Sequence, residues 1–106
     1  MITDNDIYGM SNSDIISKLG MRFKEYRILL HMTQQDVAEK AGVSIFLISQ
    51  LESGKSNNIT MGSFLSLLRS IGFLAEIQKI LPDIPPSPEE IERMNKRKKE
   101  RVRHGK

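Results

Sequence analysis

In this chain of 106 residues, the side chains whose spacing indicates a function carry amides, hydroxyls or positive charges. The absence of cysteine excludes disulfide frameworks, thiolate zinc sites and thiol nucleophiles. His31 and His104 lie too far apart in sequence to indicate a metal pair, and no nucleophile, base and orienting group can be combined. We therefore expect no metal, no cofactor and no enzymatic activity.

Hydrogen-bonding side chains are concentrated between residues 33 and 55. A glutamine amide both donates and accepts, so it can pair with a polar edge through two hydrogen bonds at once. This segment is the candidate binding surface. Its polar members are Thr33, Gln34, Gln35, Ser44, Ser49, Gln50 and Lys55.

The basic charge is confined to the C-terminus. Residues 89–106 hold eight Lys or Arg against four Glu, a net of +4, whereas residues 1–88 hold eight basic and nine acidic side chains, a net of −1. A Pro-rich stretch at residues 81–88 is typical of a semi-rigid spacer between the two parts. The tail is either an arm that lies on a polyanion or a solubilising, disordered terminus.

Composition indicates one small globular domain, with 39% hydrophobic and 27% charged residues. No apolar run approaches the roughly 18 residues of a membrane span. Residues 1–10 lack the pattern of a signal peptide. We expect a cytoplasmic protein with no membrane partner.

Apolar spacing and capping residues predict a series of short helices. The first spans residues 13–31, although Gly20, unfavourable in a helix by about 1 kcal/mol, allows a start nearer Leu19. Two helices are predicted over residues 33–41 and 44–53, each with a hydroxyl residue, Thr33 or Ser44, as its N-cap. Gly42 is expected to end the first of them in the left-handed conformation. The inward face of the first helix is expected to comprise Ile15, Ile16, Leu19, Phe23, Tyr26 and Leu30.

Two further elements complete the predicted fold. A fourth helix is expected over residues 60–71, and residues 73–81 favour a fifth amphipathic helix, with a short strand as the alternative. The fold class is all-α, a compact bundle of four to five short helices over residues 13–81. Residues 1–12 are expected to be flexible, and residues 82–106 to form the spacer and a disordered basic tail.

Two short helices joined by a glycine turn have the lengths of a helix-turn-helix, whose second helix can lie in the DNA major groove. Residues 33–44 and 48–55 closely resemble the phage-repressor (Cro/C1) type, and the likeness extends over residues 19–71. The resemblance implies a lambda-repressor-like bundle, in which Arg27 and Glu52 form a structural pair between the first and third helices. Core positions of the family are matched by Ala38, Gly42, Ile48 and Leu51.

The resemblance also implies which residues meet DNA. Gln50 is expected to pair with adenine N6 and N7, and Gln34 resembles the family's phosphate-clamping glutamine, with Lys55 as a second phosphate contact. Ile45 and Phe46 depart from the family, since many relatives carry polar residues there. The expected DNA-binding set is Thr33, Gln34, Gln35, Ser44, Ile45, Phe46, Ser49, Gln50 and Lys55.

The departures leave alternatives open. Ile45 and Phe46 either pack on thymine methyl groups of an A/T-containing half-site, or one of them turns inward or meets a partner protein. His31 occupies a tight-turn position where glycine is usual, and we expect an exposed turn residue there.

Residues 1–88 are nearly neutral and therefore gain little DNA affinity from contacts with phosphates. Tight binding would need either additional positive charge or a second DNA-binding domain. A homodimer would set two recognition helices about 34 Å apart on a palindromic operator in double-stranded DNA. The candidate dimer seam, which alternatively only caps the monomer core, is Phe73, Leu74, Ile77, Ile80 and Leu81. The tail is expected to contact phosphates through Lys96, Arg97, Lys98, Lys99 and Arg101.

Two functions from different classes fit these features. The first is a sequence-specific DNA-binding repressor that acts as a dimer and controls its own gene. The second is an antitoxin that restrains a partner toxin and represses its own operon. Residues 58–65, the segment after Gly72 and the C-terminus resemble HipB-type antitoxins, whose partners are HipA-type kinases.

Overall fold

The computed structural model describes the backbone of residues 4–56 and 58–104, and the side chains of residues 6–56 and 58–98. Within these ranges the chain is helical and contains no strand, which confirms the all-α class and excludes the strand alternative for residues 73–81. The elements are α1 (Asp4–Tyr8), α2 (Asn12–Leu29), α3 (Gln34–Ala41), α4 (Ile45–Glu52), α5 (Met61–Ser70), a 3₁₀ helix (Leu74–Lys79) and α6 (Pro88–His104).

Hydroxyl side chains begin the helices that form the bundle. Thr33 Oγ1 accepts from the Asp36 backbone N–H at 3.0 Å, and Ser44 Oγ accepts from that of Leu47 at 3.1 Å. Thr60 caps α5 in the same way, at 3.1 Å from the Ser63 N–H. Each bond satisfies one of the donors that a helix start leaves without a partner. The predicted caps at Thr33 and Ser44 are therefore confirmed.

Gly42 ends α3 as predicted, in the left-handed conformation with φ 69°. Its backbone N–H donates to the Ala38 carbonyl at 2.9 Å. Because glycine has no Cβ, it takes this conformation without strain. Only Val43 and the N-cap Ser44 then separate Gly42 from α4, so the angle between α3 and α4 is set within a three-residue turn.

The core lies where α2, α3, α4 and α5 meet. Val37, Ile48 and Leu67 are fully buried, one from each of α3, α4 and α5. Phe23 of α2 closes the cluster from the other side. Two residues predicted for the inward face of the first helix, Leu19 and Leu30, are instead 46% exposed. Leu30 is the C-cap of α2, where the helix ends.

Gly20 lies in the middle of α2, and the helix continues through it to Asn12. A Cβ at this position would lie 2.7 Å from the carbonyl carbon of Leu51 and would overlap the carbonyl oxygen. Glycine is therefore present because α2 and α4 approach closely here, and tertiary packing outweighs its low helix propensity.

Helices also occur toward the two ends of the chain. The segment predicted to be flexible contains α1, and α2 starts earlier than residue 13 because Ser11 Oγ caps it by accepting from the Asp14 N–H at 3.1 Å. The tail predicted to be disordered forms α6. Composition indicated solvation there, but the local signals favour a helix, since Ser87 Oγ accepts from the Glu90 N–H at 3.2 Å and Pro88 takes the first helical position.

Replacing Gly20 with alanine tests the close approach. We expect Gly20→Ala to lower the free energy of unfolding by about 1–3 kcal/mol, because the added methyl group forces α2 away from α4. Gly62→Ala is the matched control, since a Cβ at Gly62 in the first turn of α5 meets nothing within 4 Å. Urea unfolding measures both variants. A Gly20→Ala protein as stable as the Gly62→Ala control would contradict the packing described.

Candidate nucleic-acid interface

Helix α4 has one face in the core and one face toward solvent. Ile48 and Leu51 are 0% and 2% exposed and anchor the inner face. On the opposite side, Phe46 is 72% exposed, and Ile45, one turn before Ile48, is 43% exposed at the edge of the inner face. Neither side chain is buried, so the alternative in which one of them turns inward is wrong. Ser49 is exposed as well, and the first two turns of α4 form an open surface beside the N-cap.

The position of α4 is fixed at its far end by a buried ion pair. Arg27 Nε donates to Glu52 Oε2 and Arg27 Nη2 donates to Glu52 Oε1, both at 2.7 Å. Arg27 Nη1 also donates to the Met32 carbonyl at 2.9 Å. The pair expected from the resemblance is thus confirmed as a link between α2 and the end of α4. The hydrogen bonds to Glu52 raise the pKa of Arg27 above its ordinary value, although burial opposes them.

Gln34 belongs to the same network. Its Nε2 donates to Glu52 Oε1 at 3.2 Å, and the residue is half-buried at the first position of α3. This contact was not predicted, because the sequence does not show that residues 34 and 52 meet. Gln34 is only half-buried, so part of this residue stays accessible to solvent near the end of α4.

Thr33 and Asp36 form a reciprocal capping box at the start of α3. The Thr33 N–H donates to Asp36 Oδ2 at 2.8 Å, opposite the bond from the Asp36 N–H to the Thr33 hydroxyl. The bond from the Thr33 backbone is the main cause that lowers the pKa of the Asp36 carboxyl. Gln35 is exposed and donates to Glu39 Oε1 at 3.3 Å. The Thr33 hydroxyl is therefore engaged in the fold, and Gln35 lies on the surface.

The end of α4 is closed by a glycine turn. Gly54 has φ 77°, and the backbone N–H groups of Lys55 and Ser56 both donate to the Gln50 carbonyl at 3.1 Å. Gln50 is half-buried and Lys55 is exposed. The turn brings the predicted phosphate contact Lys55 close in space to the predicted base reader Gln50.

The turn between α2 and α3 contains the one non-glycine residue with positive φ among those described. His31 has φ 57° and is exposed, as expected for a turn residue at a position that favours glycine.

The predicted dimer seam divides into two parts. The Phe73 ring packs edge-on against Tyr26, with 4.6 Å between centroids and 78° between planes, so Phe73 extends the core. Leu74 and Ile77 on the 3₁₀ helix are half-buried. Ile80 and Leu81 are 63% and 87% exposed. Only the last four residues are available to a second copy.

The predicted tail contacts lie on α6. Lys96, Arg97 and Lys98 are exposed on this helix. The side chains of Lys99 and Arg101 lie outside the described residues. Because α6 is helical, its basic side chains have fixed spacings along the helix axis.

Neither a cluster of metal-ligating side chains nor a helix able to span a membrane occurs in the described part of the chain. No group of three or more metal-ligating side chains is found there. The helices described are also too short or too polar to cross a membrane.

Comparison with known families decides the assignment. The family described as helix-turn-helix matches residues 23–73, from the middle of α2 to the residue after α5 and its glycine turn. These residues are a helix-turn-helix domain of the phage-repressor type. Comparison with curated proteins and with solved structures gives no match. The matched helix-turn-helix domain supports a role in DNA binding and transcription regulation.

Proposed function

We propose that the protein is a sequence-specific repressor that binds a palindromic operator as a dimer, with α4 in the major groove. The observation that carries this proposal is the exposed first part of α4, where Ile45, Phe46 and Ser49 face solvent while the opposite face is locked in the core. A recognition helix needs this combination, because its N-terminal residues contact base edges while the domain holds it rigidly.

Base reading is assigned to Ser44, Ile45, Phe46, Ser49 and Gln50. Gln50 offers a bidentate pair to adenine, worth about 1–3 kcal/mol of discrimination. Two adjacent exposed apolar side chains, Ile45 and Phe46, are unfavourable in water, and thymine methyl groups give them a partner. This supports a half-site that contains A·T pairs.

Phosphate contacts are assigned to the residues that flank α4. The backbone N–H groups of Gln34 and Gln35 lie in the first turn of α3, beside the Thr33 cap, where a helix offers donors and positive potential to an anion. Lys55 adds a cation on the other side. These contacts position the protein on DNA and carry no sequence information directly.

A second copy of the chain is proposed to cover the exposed apolar residues after α5. The contact between Phe73 and Tyr26 places the residue before the 3₁₀ helix beside α2, one turn before Leu29, which is 70% exposed. An apolar surface of this kind marks an interaction site more often than it stays open to solvent. The residues assigned to this surface are Leu74, Ile77, Ile80 and Leu81, with Ile28, Leu29 and Leu30 of α2.

The antitoxin function is the second candidate, and α6 favours it. This helix carries Ile91 and Met94 at 43% and 45% exposure, three residues apart and therefore on one face. An amphipathic helix can bind a partner protein by placing its apolar face in a hydrophobic groove. A stoichiometric complex with a kinase-like protein from a neighbouring gene would favour this candidate.

Selection from a pool of randomised duplexes tests the repressor proposal. We expect the wild-type protein to recover inverted half-sites about 10 base pairs apart from centre to centre. Gln50→Ala should relax the preference at one position in each half-site without loss of stability. Asn12→Ala, at the exposed start of α2 and outside the proposed DNA and dimer surfaces, is the control and should keep the wild-type preference. Failure to enrich any sequence would contradict the proposal, and an unchanged preference in Gln50→Ala would remove Gln50 from base reading.

The salt dependence of binding tests the role of α6. Replacing Lys96, Arg97 and Lys98 with glutamine should reduce the slope of log K against log salt by about 0.9 for each phosphate that the helix no longer neutralises. Lys96→Arg with Lys98→Arg keeps the charge and should keep the slope. The measurement is a series of titrations at several salt concentrations. Equal slopes for the glutamine variant and the wild type would show that α6 does not lie on phosphates.

A further inference from the structure

The Glu52 carboxylate serves α3 as well as α2. Its Oε1 accepts from Arg27 Nη2 at 2.7 Å and from Gln34 Nε2 at 3.2 Å, and its Oε2 accepts from Arg27 Nε at 2.7 Å. The Glu52 side chain is only 3% exposed. Water therefore has little access to this carboxylate, and the protein supplies its hydrogen bonds.

This arrangement determines which end of the Gln34 amide faces inward. An ionised carboxylate only accepts hydrogen bonds, so Gln34 must present its NH₂ group to Glu52. A flipped amide would place its oxygen against the carboxylate oxygen. The second N–H and the amide oxygen make no hydrogen bond to another described residue, and Gln34 is half-buried at the start of α3.

We infer that Glu52, itself fixed by Arg27, is a positioning residue that orients the Gln34 amide for the DNA backbone before DNA is bound. The inference rests on the proposed function, in which Gln34 contacts a phosphate. Its physical basis is preorganisation, since a side chain that is already ordered loses less conformational entropy on binding. Arg27 and Glu52 thereby act on DNA affinity in addition to stability, although neither touches DNA.

The first arm of the test examines the DNA-free protein by nuclear magnetic resonance. We expect the side-chain amide of Gln34 to have an order parameter near that of rigid backbone, about 0.85, whereas the exposed Asn12 amide should fall below about 0.6. This arm uses the wild-type chain and needs no variant that folds. A Gln34 order parameter as low as that of Asn12 would overturn the inference.

The second arm is a double-mutant cycle on DNA affinity. Arg27→Met with Glu52→Met removes the acceptor without leaving a buried charge, an exchange that is often neutral for stability. Against the duplex recovered by selection, this pair should weaken Kd by about three- to tenfold. In the Gln34→Ala background it should change Kd by less than about twofold, because the amide it orients is gone.

The outcomes distinguish failure of the inference about Glu52 from failure of the proposed DNA-binding function. A purely structural role for Glu52 would weaken Kd equally in both backgrounds, which would overturn the inference. If the wild-type protein prefers no sequence at all, the proposed function fails, while the order parameter of Gln34 still decides whether Glu52 holds the amide. If the paired methionine variant does not fold, the order parameter alone decides the question.

Discussion

The buried pair of Arg27 and Glu52 is the interaction on which the geometry of the interface depends. It joins α2 to the last residue of α4, and through the Met32 carbonyl it also holds the turn that leads to α3. Two charges removed from water are unfavourable unless they are paired and hydrogen-bonded. Here the Arg27 head group and both oxygens of Glu52 have partners, so the pair specifies one arrangement of three helices.

That arrangement leaves the outer face of α4 little freedom. Its inner face is fixed by Ile48 and Leu51 in the core, and Gly20 lets α2 approach the Leu51 backbone directly. The side chains of Ile45 and Phe46 are consequently exposed by the packing of the rest of the helix. Apolar groups exposed to water on this helix are best explained by a partner surface, and the proposed partner is the major groove.

Local signals in the sequence determine most of this fold. Thr33, Ser44 and Gly42 act through bonds to residues a few positions away, so their roles were predictable from residue type and spacing. The helix in the tail has local causes of the same kind. The cap at Ser87 and the proline that follows it favour a helix start there.

Contacts between residues far apart in the sequence could not be predicted from residue type and spacing. The sequence shows only that Gly20 is unfavourable in a helix. The reason for glycine here is the close approach of the Leu51 backbone, 31 positions away in the chain. The bond between Gln34 and Glu52 was missed for the same reason, while the pairing of Arg27 with Glu52 was available only through resemblance to a family. The exposure of Ile45 and Phe46 likewise required the helix packing to be known.

The most direct measurement is a fluorescence-anisotropy titration of the purified protein against duplex DNA from upstream of its own gene, beside a scrambled duplex, at two salt concentrations. A sequence-reading interface predicts at least a roughly hundredfold preference for the native duplex that persists at the higher salt, because base contacts do not release counterions. Equal, salt-sensitive binding to both duplexes would contradict the account, since only nonspecific phosphate contacts would then be made.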